Sequence, residues 1–229
     1  MRSMGMAVAS LLLVSSAAVA QDASHAVAEG GIKIAGWQGK IDPGEARNGG
    51  KLEGAKLEKA GDDLHVTTGP AVAYWQPSNV AKGDYTVKAT FTEEKYMGLN
   101  NHPHPYGVFI AGNDMGTEKQ SYLYCTAYGD GRFIVRGFSG DSTFRLNGRG
   151  EPNAAIHKAS AVGTSVSQEI ALSVKGNKVE CAINGQVVGS YDKSAVVGAN
   201  KLTSTDGIYG VRFGHNTEAV VKGLTLAKN

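Results

Sequence analysis

The run from Ser165 to Asp192, SVSQEIALSVKGNKVECAINGQVVGSYD, constrains the fold of this chain more than any other stretch. Ile170, Leu172 and Val174 alternate with Ala171, Ser173 and Lys175. Gly176-Asn177 then turns the chain into Val179, Cys181 and Ile183, and Asn184-Gly185 turns it again into Val187 and Val188. A period of two sends successive side chains to opposite faces of a strand. Asn-Gly between two such runs is a strong hairpin signal, because both central residues of a type I′ turn need positive φ. The stretch predicts a three-stranded antiparallel meander with Ile170, Leu172, Val174, Val179, Cys181 and Ile183 facing a core.

The same punctuation recurs along the chain. Asp42-Pro43-Gly44 and Gly61-Asp62-Asp63 read as turns around short strands near Lys56 to Lys59, at Leu64 and Val66, and from Ala71 to Trp75. Asp84 to Glu94 alternates Tyr85, Val87, Ala89 and Phe91 with Thr86, Lys88, Thr90 and Thr92, the pattern of a strand with one dry and one wet face. Two prolines make Lys95 to Pro105 a loop. Tyr106 to Asn113, Ser121 to Tyr128 and Arg132 to Ser139 form a second meander, and Phe144 to Leu146 a further short strand. The alanine-rich piece Ala154 to Val162 reads as a helical turn, Ser194 to Ser204 as a loop, and Asp206 to Lys228 as a closing strand pair. Short strands separated by Gly, Asn and Asp clusters, about a dozen in all, make the chain all-β, a sandwich or barrel. Its 31 glycines suit so many tight reversals.

The first residues have a charged start at Arg2, an apolar run from Met6 to Val14, and Ala18-Val19-Ala20 in an A-x-A arrangement, which reads as a secretory signal peptide cut after Ala20. The run falls short of the roughly 20 apolar residues of a membrane span. The expected organisation is a leader over residues 1–20, a flexible segment over 21–33 and one β domain over 34–229, exported to the periplasm or the extracellular space. Basic and acidic side chains, 23 and 21 in number, are interspersed, so no clustered basic face points to nucleic acid. Cys125 and Cys181 are the two cysteines, too few for a disulfide-dense scaffold and without zinc-ligand spacing. Each lies on the apolar register of its strand, and an export signal permits a bridge between them.

Three pieces together resemble the concanavalin A-like lectin/glucanase superfamily: the strand pair around Tyr122 to Val135, the meander from Ile170 to Val188, and the ending Gly207-Ile208-Tyr209-Gly210-Val211-Arg212-Phe213 followed by a last strand. Within it the chain is similar to secreted bacterial domains related to the 3-keto-disaccharide hydrolase family. The resemblance implies a jelly roll of two curved antiparallel sheets whose concave face often carries a glycan site. It implies less about catalysis, because the glucanase branch uses paired carboxylates in an E-x-D-x-x-E-like strand, and that motif is missing. Glu93-Glu94 are adjacent and point to opposite faces, while Glu169 and Glu180 belong to the wet side of the meander.

Candidate sites remain. His102-Pro103-His104-Pro105-Tyr106 joins two strands, where binding loops usually lie. Two imidazoles can contribute to a metal site, but spacing identifies no third ligand, so none is assigned. The cluster reads either as a proline-stiffened structural loop or as the rim of a glycan site, with Tyr96 or Tyr106 stacking on a sugar. Gly112-Asn113-Asp114 could hold calcium through oxygen ligands, but a bare Asn-Asp at a strand end is more often an ordinary turn, so no cofactor is assigned. Lys88, Tyr122, Tyr124, Arg136 and Arg212 alternate with apolar neighbours and so leave the core on a sheet's other face. If that sheet is the concave one they line its trough, with guanidinium donors and flat rings suited to a carbohydrate or anionic ligand; otherwise they form a solvated exterior. Two functions follow as expectations: an exported carbohydrate-binding domain, or a structural or protein-interaction module of the cell envelope. A hydrolase-like activity through the histidines or tyrosines stays open.

Overall fold

The alternating runs pair as strands throughout the computed structural model of the protein, which describes residues 23–228. In chain order the strands are β1 (Gly31–Ile32), β2 (Gln38–Ile41), β3 (Lys56–Ala60), β4 (Asp63–Thr67), β5 (Val72–Ala81), β6 (Tyr85–Glu93), β7 (Tyr106–Asn113) and β8 (Ser121–Ala127). They continue with β9 (Arg132–Ser139), β10 (Ser142–Arg145), β11 (Glu151–Pro152), β12 (Val166–Lys175), β13 (Lys178–Ile183), β14 (Gln186–Asp192), β15 (Gly207–Phe213) and β16 (Glu218–Lys228). Two short helices, α1 (Pro43–Arg47) and α2 (Lys193–Val196), complete the set. The expected signal peptide lies outside the described residues, within which no helix is long and apolar enough to cross a membrane.

One sheet runs β1-β3-β4-β16-β6-β12-β13-β14, the other β10-β9-β8-β7-β15-β5-β2 with β11 added on β9. The pairings are antiparallel except for the two-residue β1, which lies parallel to β3. The predicted meander is β12-β13-β14, with Ile170 opposite Ile183 and Val174 opposite Val179. Asn184 and Gly185 take φ of 50° and 78°, as a type I′ turn requires. Ile170, Leu172, Val174, Val179, Cys181 and Ile183 are all buried in the core between the sheets. The third strand differs: β14 is an edge strand with a register shift at Cys181/Ala182, and Val187 is exposed there.

The inner face of the second sheet supplies Tyr74, Tyr106, Val108, Ile110, Leu123, Val135, Val211 and Phe213 to the same core. A disulfide joins Cys125 on β8 to Cys181 on β13, with Cα atoms 6.0 Å apart, and so ties one sheet to the other. It closes a loop across 56 positions of sequence, which restricts the unfolded chain more than a local bridge would.

Four expectations are corrected. Residues 23–33 do not hang free: the Asn216 side chain donates to Ala23 O and accepts from His25 N, Val27 N donates to Gly54 O, and β1 pairs with β3. The polar clamp on Asn216 comes from the far end of the chain, so local composition gives no sign of it. Asp42-Pro43-Gly44 opens α1 and is not a bare turn, since Pro suits the first helical position, where no N–H partner is needed. The piece from Ala154 to Val162 forms turns without a helix. The loop after β14, by contrast, begins with α2.

Candidate functional site

Parity decides which residues of the second sheet turn away from the core. Arg212 on β15 lies between Ala73 and Gly107, its partners on β5 and β7, and Gly107 lies opposite Thr126 on β8. Phe109, Tyr124 and Arg136 line up across β7, β8 and β9, with Tyr122 opposite Phe138 in a parallel row. Arg136, Arg212, Tyr122 and Tyr124 therefore share the outer face of one sheet. Lys88 does not: it is on β6 of the other sheet, exposed, and bonded to Glu169 at 2.9 Å. Its alternation was right, but alternation carries no information about which sheet a strand joins.

This outer face is not a wet trough. Trp75, Phe109, Tyr122, Tyr124, Ile134 and Phe138 form a second buried apolar cluster, separate from the core between the sheets. Tyr122 is wedged among Phe109, Phe138 and Tyr124, with ring centroids 5.0, 5.2 and 6.0 Å away, and is 1% exposed. It cannot stack on a ligand. Tyr106 and Tyr96 are likewise unavailable. Tyr106 begins β7 pointing inward, stacked on Phe91 at 5.7 Å, and Tyr96 is buried against Gly129, where a Cβ would meet its ring at 2.5 Å.

Arg212 is also committed. Its guanidinium donates to Asp42 Oδ2 at 2.5 Å, to Val72 O at 3.0 Å and to Phe213 O, and it sits 5.5 Å over the Tyr124 ring. Burial, opposed by Arg212 and supported by Glu45, pushes the Asp42 carboxyl up to about 6. Glu45 is held in place by Ser24 Oγ at 2.6 Å and by Ala71 N at 3.2 Å. Sequence reasoning missed this pair of carboxyls, because Asp42-Pro43-Gly44 carries a turn signature and Glu45 follows directly.

A cavity of about 440 Å³ opens beside these groups, within the range of small-molecule sites. Tyr124, Tyr128, Arg136, Arg212 and the His102 to Pro105 loop line it, together with His215. Asp42 Oδ1, Thr126 Oγ1, His104 Nε2, Arg136 Nε and Arg212 Nε are buried here without a hydrogen-bond partner. Arg136 is only partly buried and makes no hydrogen bond or ion pair to a described residue, whereas nearby Arg132 is bound to Asp130 at 2.6 Å and packs over Tyr128 at 4.8 Å.

The third imidazole that spacing did not supply is His215, brought to the loop by the turn after β15. His104 and His215 have ring centroids 3.9 Å apart, and His102 is 4.3 Å from His104. Burial, with the neighbouring His215 and His102, pushes the His104 imidazole down to about 3, so it is neutral at physiological pH. At Gly112-Asn113-Asp114 the Asn113 amide donates to Ala111 O and Asp206 O, both at 3.0 Å, and Asp114 sits at φ 51°. That segment is the end of β7 leading into a turn, with the Asn113 amide already used in the fold.

No family model matches the chain, nor does any curated protein, so the similarity to the 3-keto-disaccharide hydrolase family is not shown. Solved structures do resemble it. The carbohydrate-binding module CBM66 from Bacillus subtilis is 8% identical, with a TM-score of 0.55 over 87% of this chain and 99% of that one. A protein of unknown function with a galectin-like fold, also from Bacillus subtilis, is 14% identical, with a TM-score of 0.56 over 84% and 89%. Likeness at such identities is likeness of fold, and it agrees with the two stacked antiparallel sheets. The chain folds as a concanavalin A-like, galectin-like β-sandwich.

Proposed function

We propose that the protein binds a carbohydrate in the cavity on the outer face of the second sheet, and does so outside the cytoplasm after removal of residues 1–20. One observation carries the reading: unpartnered donors and acceptors converge on a cavity floored by Tyr124, Phe138 and Ile134. Buried polar atoms require partners, and a sugar offers hydroxyls that donate and accept around a C–H face suited to an aromatic ring. Arg136 is the uncommitted cation there and gives directional donors to hydroxyl or carboxylate oxygens. The fold is shared with a carbohydrate-binding module. Export is supported by the leader sequence and by the Cys125–Cys181 disulfide, a bond suited to oxidising compartments.

A glycan array probed with the mature protein, followed by calorimetry on the strongest hit, tests the reading. Binding of at least one glycan class is expected, with preference for sugars bearing a carboxylate that can meet Arg136. An array without hits, or an Arg136→Ala protein that binds as tightly as the parent, overturns it.

A further inference from the structure

His102, His104 and His215 come from two distant segments, yet one ring nitrogen from each lies within 4.8 Å of the others. Nothing in the sandwich core requires this arrangement. Clustered imidazoles repel one another when protonated and give the fold no apolar contact of comparable value. The cluster is nevertheless held firmly. Pro103 and Pro105 fix the backbone around His104, and Gly214 N donates to Pro105 O at 2.7 Å, which locks the loop against the turn that bears His215. A Cβ on Gly214 would stand 2.8 Å from Pro105 Cδ and 3.1 Å from His104 Cβ, so the approach of the two segments depends on that glycine.

Each ring offers one nitrogen to the cluster. His102 Nδ1 is 2.8 Å from Asn101 Oδ1; when it donates there, Nε2 is left as the lone-pair nitrogen. Such an outer partner fixes the tautomer of a metal-bound histidine. His104 Nε2 is buried and has no hydrogen-bond partner, a cost that a bound cation would remove. All three histidines line the cavity.

We propose that His102, His104 and His215 form a metal site at the cavity rim, taking one borderline divalent cation of the zinc class and leaving a coordination position open to the cavity. Three imidazole nitrogens select zinc, cobalt, nickel or copper over calcium or magnesium, which require oxygen ligands. Three protein ligands with a free fourth position are the pattern of zinc sites that accept water or a substrate oxygen. Nitrogens about 2.0–2.1 Å from such an ion lie closer together than the present cluster, so the rings would close inward through small side-chain rotations. The site stands on these residues alone, whatever occupies the rest of the cavity.

The test is cobalt(II) titration of the chelator-treated mature protein, read by visible absorption, with zinc(II) competition read by calorimetry. The expected result is one equivalent of cobalt, intense bands of a four-coordinate centre, displacement by zinc, and no displacement by a large excess of calcium. His104→Ala and His215→Ala should each weaken binding at least 100-fold, with circular dichroism of each metal-free variant checking that it is folded. His157→Ala, whose ring contacts Ser167 O at 2.8 Å and not the cluster, should bind normally. Weak octahedral spectra, a stoichiometry well below one, or tight binding that survives His104→Ala and His215→Ala together would overturn the proposal. If the double variant does not fold, modification of the parent's histidines with and without zinc replaces it: His102, His104 and His215 must be the ones zinc protects. Glycan binding that persists without metal would leave the carbohydrate reading intact even if cobalt fails to bind.

Discussion

The outer faces of the two sheets obey the same alternation and meet opposite fates. On the first sheet Lys88 pairs with Glu169, Lys178 with Asp192 and Lys222 with Asp63, all at the surface. On the second, buried Arg212 pairs with a largely covered Asp42, its guanidinium over the Tyr124 ring. The chemistry of a lysine–glutamate and an arginine–aspartate contact is similar; the medium is not. In water an ion pair trades hydration for a screened attraction and nets little. Out of water each charge depends on its partner, and a single truncation strands the other.

The largest expected effect follows from that contrast. Arg212→Ala removes the partner of Asp42, whose Oδ1 is buried, and the donors to Val72 O and Phe213 O, so urea unfolding should show a loss of about 3–5 kcal/mol. Sequence reasoning places this arginine among the candidate ligand contacts; its burial and its bonds to Asp42, Val72 and Phe213 give it a structural role. A midpoint within error of the parent would mean the covered face behaves like the wet one. The double change Arg212→Met with Asp42→Leu should recover much of the loss, because the charges then disappear together.

The first sheet has its own buried charge problem, on its inner side. Glu93 ends β6 pointing inward and is 6% exposed; burial raises its carboxyl from 4.5 to about 7, against a lowering by the hydrogen bond from Met97 N. The folded protein thus holds this proton more tightly than the unfolded chain. Glu93 contributes stability that is complete below about pH 4.5 and is lost as pH rises through 7. The loss should be on the order of 3 kcal/mol, and Glu93→Gln should flatten that part of the stability profile. A Glu93→Gln protein with the parent's profile would place the pH dependence elsewhere.

What was legible in the sequence follows the same division. Period two and Asn184-Gly185 specify strands, turns and inward faces, because those are local properties of a pleated chain, and the resemblance to concanavalin A-like sandwiches supplied the sheet arrangement. Parity put Arg136, Arg212, Tyr122 and Tyr124 away from the core for the same reason. It could not show that Lys88 belongs to the other sheet, nor that loops and α1 cover the second one. Asp42 and His215 were missed because each acquires its role only by meeting a residue more than 100 positions away. A lone histidine after Gly214 and an aspartate before proline carry no local mark of a site.

Arg136 separates position from commitment. It shares the outer face with Arg212 but borders the cavity without an ion pair to a described residue. Arg136→Ala should change unfolding by less than about 0.5 kcal/mol, as for an uncommitted side chain. Affinity for the best glycan found on the array should nevertheless fall about tenfold or more, the loss of one charge-assisted contact. A stability loss as large as that of Arg212→Ala would show that Arg136 is also a structural cation.

The smallest effect expected is at Lys88, and it completes the comparison from the wet side. Lys88 and Glu169 face each other at 2.9 Å on neighbouring strands, with side chains 50% and 41% exposed. Both are hydrated in the unfolded chain and remain largely so after folding, so neither is stranded when the other is removed. A double-mutant cycle on Lys88→Ala and Glu169→Ala should therefore give a coupling of about 0.2–1 kcal/mol, shrinking as salt is added. Neither variant should alter glycan binding, because the two residues lie on the sheet that does not form the cavity. A coupling that approaches the Arg212–Asp42 value and resists salt would show that something covers the first sheet too. The distinction between the two faces would then have to be drawn on grounds other than solvent.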